Sequence, residues 1–265
     1  MDTCKHLIKT WEDIQLEEFQ KFLTFWGFSS STLNTFLREP QDSDKWLVLR
    51  EKALYVWFNY QRRLIKPNKR NILLNPILSC PPAVQDGWQM LQNEVVNGTD
   101  LTPRLSRKIE DADYNDAFLN DWGFHHFHLG VVYDEKHPRQ MERTDFVLVA
   151  VVDAVDFYPI SFIRHRRWNV QAILETAVSA FPERFECYRL KGVADVSMAL
   201  SNDDTELLRK AGVSCIRKIG EGVYFPPGLG LTSARTSLAA TMDLDSHRRQ
   251  LAHVETIQKH SRNKQ

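Results

Sequence analysis

Paired cysteines are missing from this sequence. The four cysteines, Cys4, Cys80, Cys187 and Cys215, are widely separated, and none belongs to a Cys-x-x-Cys pair. This spacing excludes a zinc ribbon, a thioredoxin motif and the disulfide framework of a small secreted protein.

Long apolar runs and a signal-peptide core are missing too. Residues 1–5 are mostly polar and lead into a mixed amphipathic segment. No apolar run approaches the roughly 20 residues that a bilayer-spanning helix needs. We therefore expect a cytoplasmic protein with no membrane partner.

The sequence also lacks an excess of charge of either sign. Lysine and arginine total 34, aspartate and glutamate total 34, and the formal net charge is +0. Without a global basic field, binding of a polyanion has to come from local patches. The P-loop, Gly-x-Ser-x-Gly and His-Glu-x-x-His signatures are absent. Gly-x-Gly-x-x-Gly is also lacking, so a Rossmann nucleotide site has no support.

Apolar residues, in contrast, are abundant enough for a packed core. They make up 43% of the chain and include seven Trp and fifteen Phe. Their spacing predicts an α+β fold, with a helical N-terminal region followed by a small, mainly antiparallel sheet with flanking helices. The predicted central strands cover residues 124–133, 145–152 and 157–163.

A change from helical to strand periodicity near residue 100 predicts two regions. The helical region, residues 1–100, is expected to bind a partner or to regulate the protein. The α+β region, residues 101–265, contains the candidate catalytic and binding residues.

The densest chemical feature is the segment 122–130, which carries three of the nine histidines. Side chains alternate between the two faces of a strand, so His126 and His128 share one face while His125 and Phe127 share the other. Two interpretations remain open. The histidines either belong to an ordinary solvated or hydrogen-bonded sheet face, or they form part of a site.

A second cluster, residues 164–168, follows the last central strand and reads Arg-His-Arg-Arg-Trp. Arginine binds phosphate through two parallel hydrogen bonds and stays charged at any working pH, so a histidine among arginines is typical of anion recognition. The alternative is a solvated strand end whose arginines pair with acids. In an antiparallel meander, His165 would reach the same sheet edge as His126 or His128.

Two chemistries use these histidines. In the first, they act as general acid and base on an RNA phosphodiester, without a metal or other cofactor. Cationic side chains would stabilise the charge that develops on phosphorus. The predicted catalytic residues are His126, His128 and His165, and the predicted substrate-binding residues are Arg164, Arg167, Arg189 and Lys191. In the second, the same histidines bind a metal ion, although the surrounding arginines would repel a cation.

A glycine- and hydroxyl-rich loop, residues 224–237, precedes the last predicted helix. Its backbone N–H groups could receive a phosphate at the helix N-terminus. Alternatively, one of its Ser or Thr residues simply caps that helix.

Residues 120–130, Asn-Asp-Trp-Gly-Phe-His-His-Phe-His-Leu-Gly, resemble the signature of a family of uncharacterised bacterial proteins. In that family the histidine strand leads into a β-hairpin that ends near a His and a Trp, here His165 and Trp168. The segment 188–192 also fits, so the resemblance covers about residues 100–240. At the level of the fold alone, the chain is similar to metal-independent bacterial ribonuclease toxins of the RelE and barnase–colicin type.

The resemblance to ribonuclease toxins implies an RNA substrate and a role as a toxin or defence effector, with a protein partner or antitoxin bound through the N-terminal helices. The sequence leaves open whether the chain is an enzyme at all. Besides the endoribonuclease, two alternatives stand. One is a metal-dependent hydrolase that uses the same histidines, and the other is a non-enzymatic adaptor in which the histidines are structural.

Overall fold

The computed structural model describes residues 2–41, 43–165, 170–197 and 200–262, and it confirms the predicted α+β class. Across these ranges the helices are α1 (Asp2–Trp26), α2 (Ser31–Arg38), α3 (Asp44–Arg63), α4 (Gln85–Asn97), α5 (Ala117–Trp122), α6 (Val170–Ala180), α7 (Pro182–Phe185), α8 (Asn202–Lys210) and α9 (Leu238–Arg262). The strands are β1 (Asn71–Ile72), β2 (His125–His128), β3 (Phe146–Val152), β4 (Asp156–Arg164), β5 (Arg217–Ile219) and β6 (Gly222–Tyr224). None of these helices combines the length and the apolarity that a bilayer span demands.

The chain divides into two compact units, each assembled from separate stretches. The helical unit consists of Met1–Arg62, Lys108–Asn115 and Ser237–Gln265. The sheet unit consists of Arg63–Arg107 and Asp116–Thr236. Residue 100, near which the change of periodicity places a boundary, lies inside the sheet unit, and the C-terminal helix α9 belongs to the same unit as the N-terminal helices.

The helical unit forms because its apolar residues recur at helical spacing. Leu16, Phe19 and Leu23 form one buried stripe on α1, and Phe19 packs against Tyr60 of α3 with ring centroids 5.4 Å apart. The next helix, α2, starts at a serine cap, since the hydroxyl of Ser30 accepts the backbone N–H of Leu33.

The sheet unit is built on four strands in the order β1-β4-β3-β2. The three central strands run antiparallel, and only the short β1 pairs with β4 in parallel. A separate antiparallel pair, β5–β6, completes the strands of the described chain. The predicted strand 124–133 is wrong in its second half, since β2 ends at His128 and residues 131–142 form a hairpin-like loop.

Helices cover both faces of the central sheet. On one face, Trp88 of α4 lies edge-on to Phe162, with ring centroids 5.7 Å apart. On the other face, Ile173 and Leu174 of α6 pack into a buried cluster that includes Val149 of β3. Because both faces are buried, β3 is apolar along nearly its whole length.

Candidate functional site

Three of the predicted site residues lie together on one face of the central sheet. The ring centroids of His126 and His128 are 6.0 Å apart, and those of His128 and His165 are 5.4 Å apart. His126 and His128 occupy alternate positions of β2. His165 follows β4, and its backbone N–H donates to the carbonyl of Asp145 at 2.7 Å. This hydrogen bond extends the pairing beyond the last residue of β4.

A β-bulge in β4 decides on which face His165 lies. Two consecutive residues of β3, Val149 and Ala150, pair with residues of β4 that are two positions apart. The residue between them, Ile160, is the extra one of the bulge. An extra residue reverses the alternation of all side chains that follow it. As a result, His165 lies on the same face as His128.

His128 is the most deeply buried of the three histidines. Its exposed fraction is 2%, whereas His126 and His165 are half-buried. Within the part of the chain that the structure describes, neither ring nitrogen of His128 has a hydrogen-bond partner. Since an imidazole carries a donor and an acceptor, this costs about 1–3 kcal/mol for each unpaired group. An ordinary structural histidine is either solvated or hydrogen-bonded, and within the described chain His128 is neither.

Burial and neighbouring positive charges keep the two histidines of β2 neutral. The pKa of His128 is lowered to about 3, first by burial and then by the charges of His126 and Arg143. The pKa of His126 is also lowered, chiefly by burial; the carboxylate of Asp116 acts against this shift, and the charge of His165 adds to it. Both side chains are therefore uncharged bases at neutral pH, able to accept a proton.

A buried arginine fixes the end of β2. The guanidinium of Arg104, 1% exposed, donates to the backbone carbonyls of His128 and Gly130, both at 3.1 Å. Its other nitrogens form a two-bond ion pair with the carboxylate of Glu94 on α4. This arrangement satisfies two carbonyls where β2 stops and positions the backbone that carries His128.

The charged residues that surround the histidines were not among the predicted ones. Arg143, just before β3, acts on His126 and His128, and Arg107 acts on His128. The carboxylate of Asp116 caps α5 by accepting the N–H groups of Phe118 and Leu119. The helix-capping role of Asp116 has a sequence signal, whereas the positions of the two arginines depend on chain folding alone.

Three of the four predicted substrate-binding residues, Arg164, Arg189 and Lys191, are described, and they lie away from the histidines. Arg164 pairs with Phe146 on the opposite face of the sheet, where its guanidinium lies 5.4 Å from the centroid of the Phe146 ring. Arg189 forms an ion pair with Glu186, in the region of the small β5–β6 sheet. Lys191 lies nearby in an exposed turn.

Arg167 and Trp168 lie outside the described residues.

Among the described residues, the geometry supports neither a metal site nor a phosphate site at α9. Across the described ranges, no three His, Cys, Asp or Glu side chains are placed to hold one metal ion. At the start of α9, Ser237 acts as the cap: its backbone N–H donates to the hydroxyl of Tyr55 at 2.7 Å, and its hydroxyl accepts the N–H of Ala240. Two donors of this helix end are thereby already satisfied within the protein, which favours the capping interpretation of the loop.

Comparison with protein-family models, with curated proteins and with solved structures yields no match for this chain.

Proposed function

We propose that this protein is a metal-independent endoribonuclease, a toxin or defence effector that cleaves RNA by histidine acid–base chemistry. The observation that supports the proposal is the contact of His126, His128 and His165 on one sheet face, with the ring nitrogens of His128 unpaired. Unpaired buried polar groups and perturbed pKa values both cluster at functional sites.

The difference in burial divides the roles among the three histidines. His126 and His165 are half-buried, so they are the members that RNA can contact. His128 lies between them, buried and neutral, and acts through its contacts with the other two rings. We therefore assign proton transfer to His126 and His165, and positioning to His128.

In the proposed reaction, one histidine removes a proton from the RNA and another histidine donates a proton to it. Neutral His126 removes the proton of the ribose 2′-hydroxyl, whose oxygen then bonds to phosphorus. The bond from phosphorus to the 5′-oxygen of the next nucleotide breaks, and His165 in its protonated form gives a proton to that oxygen. The products are a 2′,3′-cyclic phosphate and a 5′-hydroxyl end, and no metal takes part.

Arg143 replaces the predicted Arg164 as the phosphate-binding cation in this proposal. Its side chain is exposed, and its charge acts on both His126 and His128. A cation at this position would stabilise the negative charge that develops during attack. Arg164 points away from the histidines and provides a matched control.

The proposal also includes a cytoplasmic location, RNA as the substrate and a protein as a binding partner. Exposed apolar side chains on the helical unit, among them Phe25, Leu47 and Val48, support an antitoxin or other partner that binds these helices.

The test is an incubation of purified protein with end-labelled RNA and end-labelled single-stranded DNA, each with and without EDTA. We expect RNA cleavage that resists EDTA and that falls at least about 100-fold in His126→Ala and His165→Ala, the usual contribution of one general acid or base. His125→Ala, on the same strand but the opposite face, should stay active. Arg143→Ala should lose more activity than Arg164→Ala.

Three results would contradict the proposal. Cleavage that EDTA abolishes would assign the histidines to a metal-dependent hydrolase. Full activity in both His126→Ala and His165→Ala would show that these histidines do not form the catalytic site. Absence of cleavage of either nucleic acid, together with a tight stoichiometric protein partner, would favour the adaptor.

A further inference from the structure

The loop between β2 and β3 forms a compact hairpin, here called the flap (residues 131–142). Its two arms are joined by backbone hydrogen bonds from Glu142 to Val132 at 2.9 Å and from Asp134 to Gln140 at 2.8 Å. The carboxylate of Asp134 accepts the N–H groups of two residues in the turn and pairs with Arg107. The flap is therefore a fixed surface and not a loose connection.

The flap presents three consecutive apolar side chains to solvent. Val131 is 45% exposed, Val132 is 56% exposed and Tyr133 is 58% exposed. Three exposed apolar residues in a row weaken solubility and are normally avoided in a globular surface unless they have a function.

Both ends of the flap connect directly to the histidine site. Its N-terminal arm starts three residues after His128. Its C-terminal arm is followed at once by Arg143, whose charge acts on His126 and His128. At both ends the flap is therefore adjacent in the chain to residues of the histidine site.

We infer that the flap binds single-stranded RNA beside the histidine site, with the ring of Tyr133 stacked on a base. The inference rests on the proposed endoribonuclease function and adds the form of the substrate, since a paired base has no free face for stacking. Aromatic side chains near a cationic path are the usual platform for single strands. Lys136 and Arg139 of the turn are exposed and accompany Arg143, against the two exposed carboxylates of Glu135 and Glu142.

The size of the surface favours a nucleic-acid strand over a protein. A stable protein interface buries about 800 Å² on each partner and involves about 20–30 residues of each. Three neighbouring side chains fall far short of that area, but a single ring is enough to stack on one base.

The test measures binding separately from cleavage. Fluorescence anisotropy with a labelled 2′-O-methyl single-stranded RNA reports binding alone, because this RNA has no 2′-hydroxyl to attack. We expect Tyr133→Ala to weaken binding about tenfold, in the range found when a stacking ring is removed. Tyr133→Phe, which keeps the ring, should bind like the wild type, and so should Leu74→Ala, a similarly exposed apolar residue after the opposite edge strand β1.

Several outcomes would overturn the inference. One is equal binding by Tyr133→Ala and the wild type, and another is equal weakening in Tyr133→Phe and Tyr133→Ala. A concentration-dependent increase in mass by light scattering that Tyr133→Ala abolishes would identify a protein-docking surface instead. The two proposals can fail separately. If the protein cleaves RNA but binds it independently of Tyr133, only the inference about the flap is wrong. If binding depends on Tyr133 but ordinary RNA is not cleaved, only the proposed nuclease activity is wrong.

Discussion

Replacing His128 by leucine is expected to preserve or raise stability while RNA cleavage is lost. Leucine is apolar and similar in size to histidine, and it carries no ring nitrogens to leave unpaired in the core. Removing an unsatisfied buried group recovers up to about 1–3 kcal/mol, from which a packing cost of up to about 1.5 kcal/mol is subtracted. At pH 7.5 we therefore expect the free energy of unfolding to be unchanged or higher by about 1 kcal/mol.

The pH dependence of stability provides the sharper part of this prediction. The pKa of His128 is about 3 in the fold, and that of an unfolded histidine is about 6.5. Between these two values the unfolded chain binds more protons, so the stability is fully present above pH 6.5 and falls as the pH decreases toward 3. From pH 7.5 to pH 5.0, His128 alone then removes about 2 kcal/mol. The result hardly changes for any native pKa below about 4.

The assay is urea denaturation followed by circular dichroism at pH 7.5 and at pH 5.0. The wild type should lose about 2 kcal/mol more than His128→Leu between the two pH values. His125→Leu, on the opposite face of β2, should keep the pH dependence that His128 causes. A His128→Leu variant that is destabilised by more than about 2 kcal/mol at pH 7.5, with the pH dependence of the wild type, would refute the reasoning.

Three further predictions concern the surroundings of the site. Arg104→Met leaves the Glu94 carboxylate and the backbone carbonyls of His128 and Gly130 without their donor, so it should cost about 3–5 kcal/mol in urea denaturation; a loss under about 1 kcal/mol would show that these hydrogen bonds are dispensable. Gly87→Ala places a Cβ atom 1.7 Å from the carbonyl oxygen of Leu129 and should lower stability by about 1–3 kcal/mol, seen as a lower Tm, whereas an unchanged Tm would contradict the close packing of α4 on this segment. Because the pKa of His126 is lowered, kcat/KM for RNA cleavage should begin to fall only below about pH 6.5; an acid limb above that pH would exclude His126 as the base.

The elements and one half of the site follow from local patterns in the sequence. Alternation over a short strand places His126 and His128 on one face, and the structure agrees because β2 is regular. The same alternation places Arg164 and His165 on opposite faces, as the structure shows. The predicted pairing of these two residues at one phosphate ignored this rule.

Burial of the histidine face could not be derived from the sequence. An alternating strand is expected to be half-exposed, but here His128 is 2% exposed, and Val149 on the same face of the sheet packs against α6. Arg104, which donates to the backbone carbonyl of His128, lies 24 residues before it in the chain. The position of Arg143 depends on the conformation of the flap that precedes it. Long-range contacts of this kind leave no periodic signal in the chain.

The meeting of His165 with the other two histidines depends on a single extra residue. Phe157, at the start of β4, packs against Phe127 on the face opposite to His128, with ring centroids 5.3 Å apart. Uninterrupted alternation would place residues 157 and 165 on the same face, and His165 would then lie on the wrong side of the sheet. The bulge at Ile160 reverses the count, next to Pro159, which has no N–H to lose from the ladder. The same bulge places Ile160, which is 1% exposed, in the buried cluster that also contains Val149. One extra residue in β4 therefore serves the packing of the core and at the same time brings His165 beside His128.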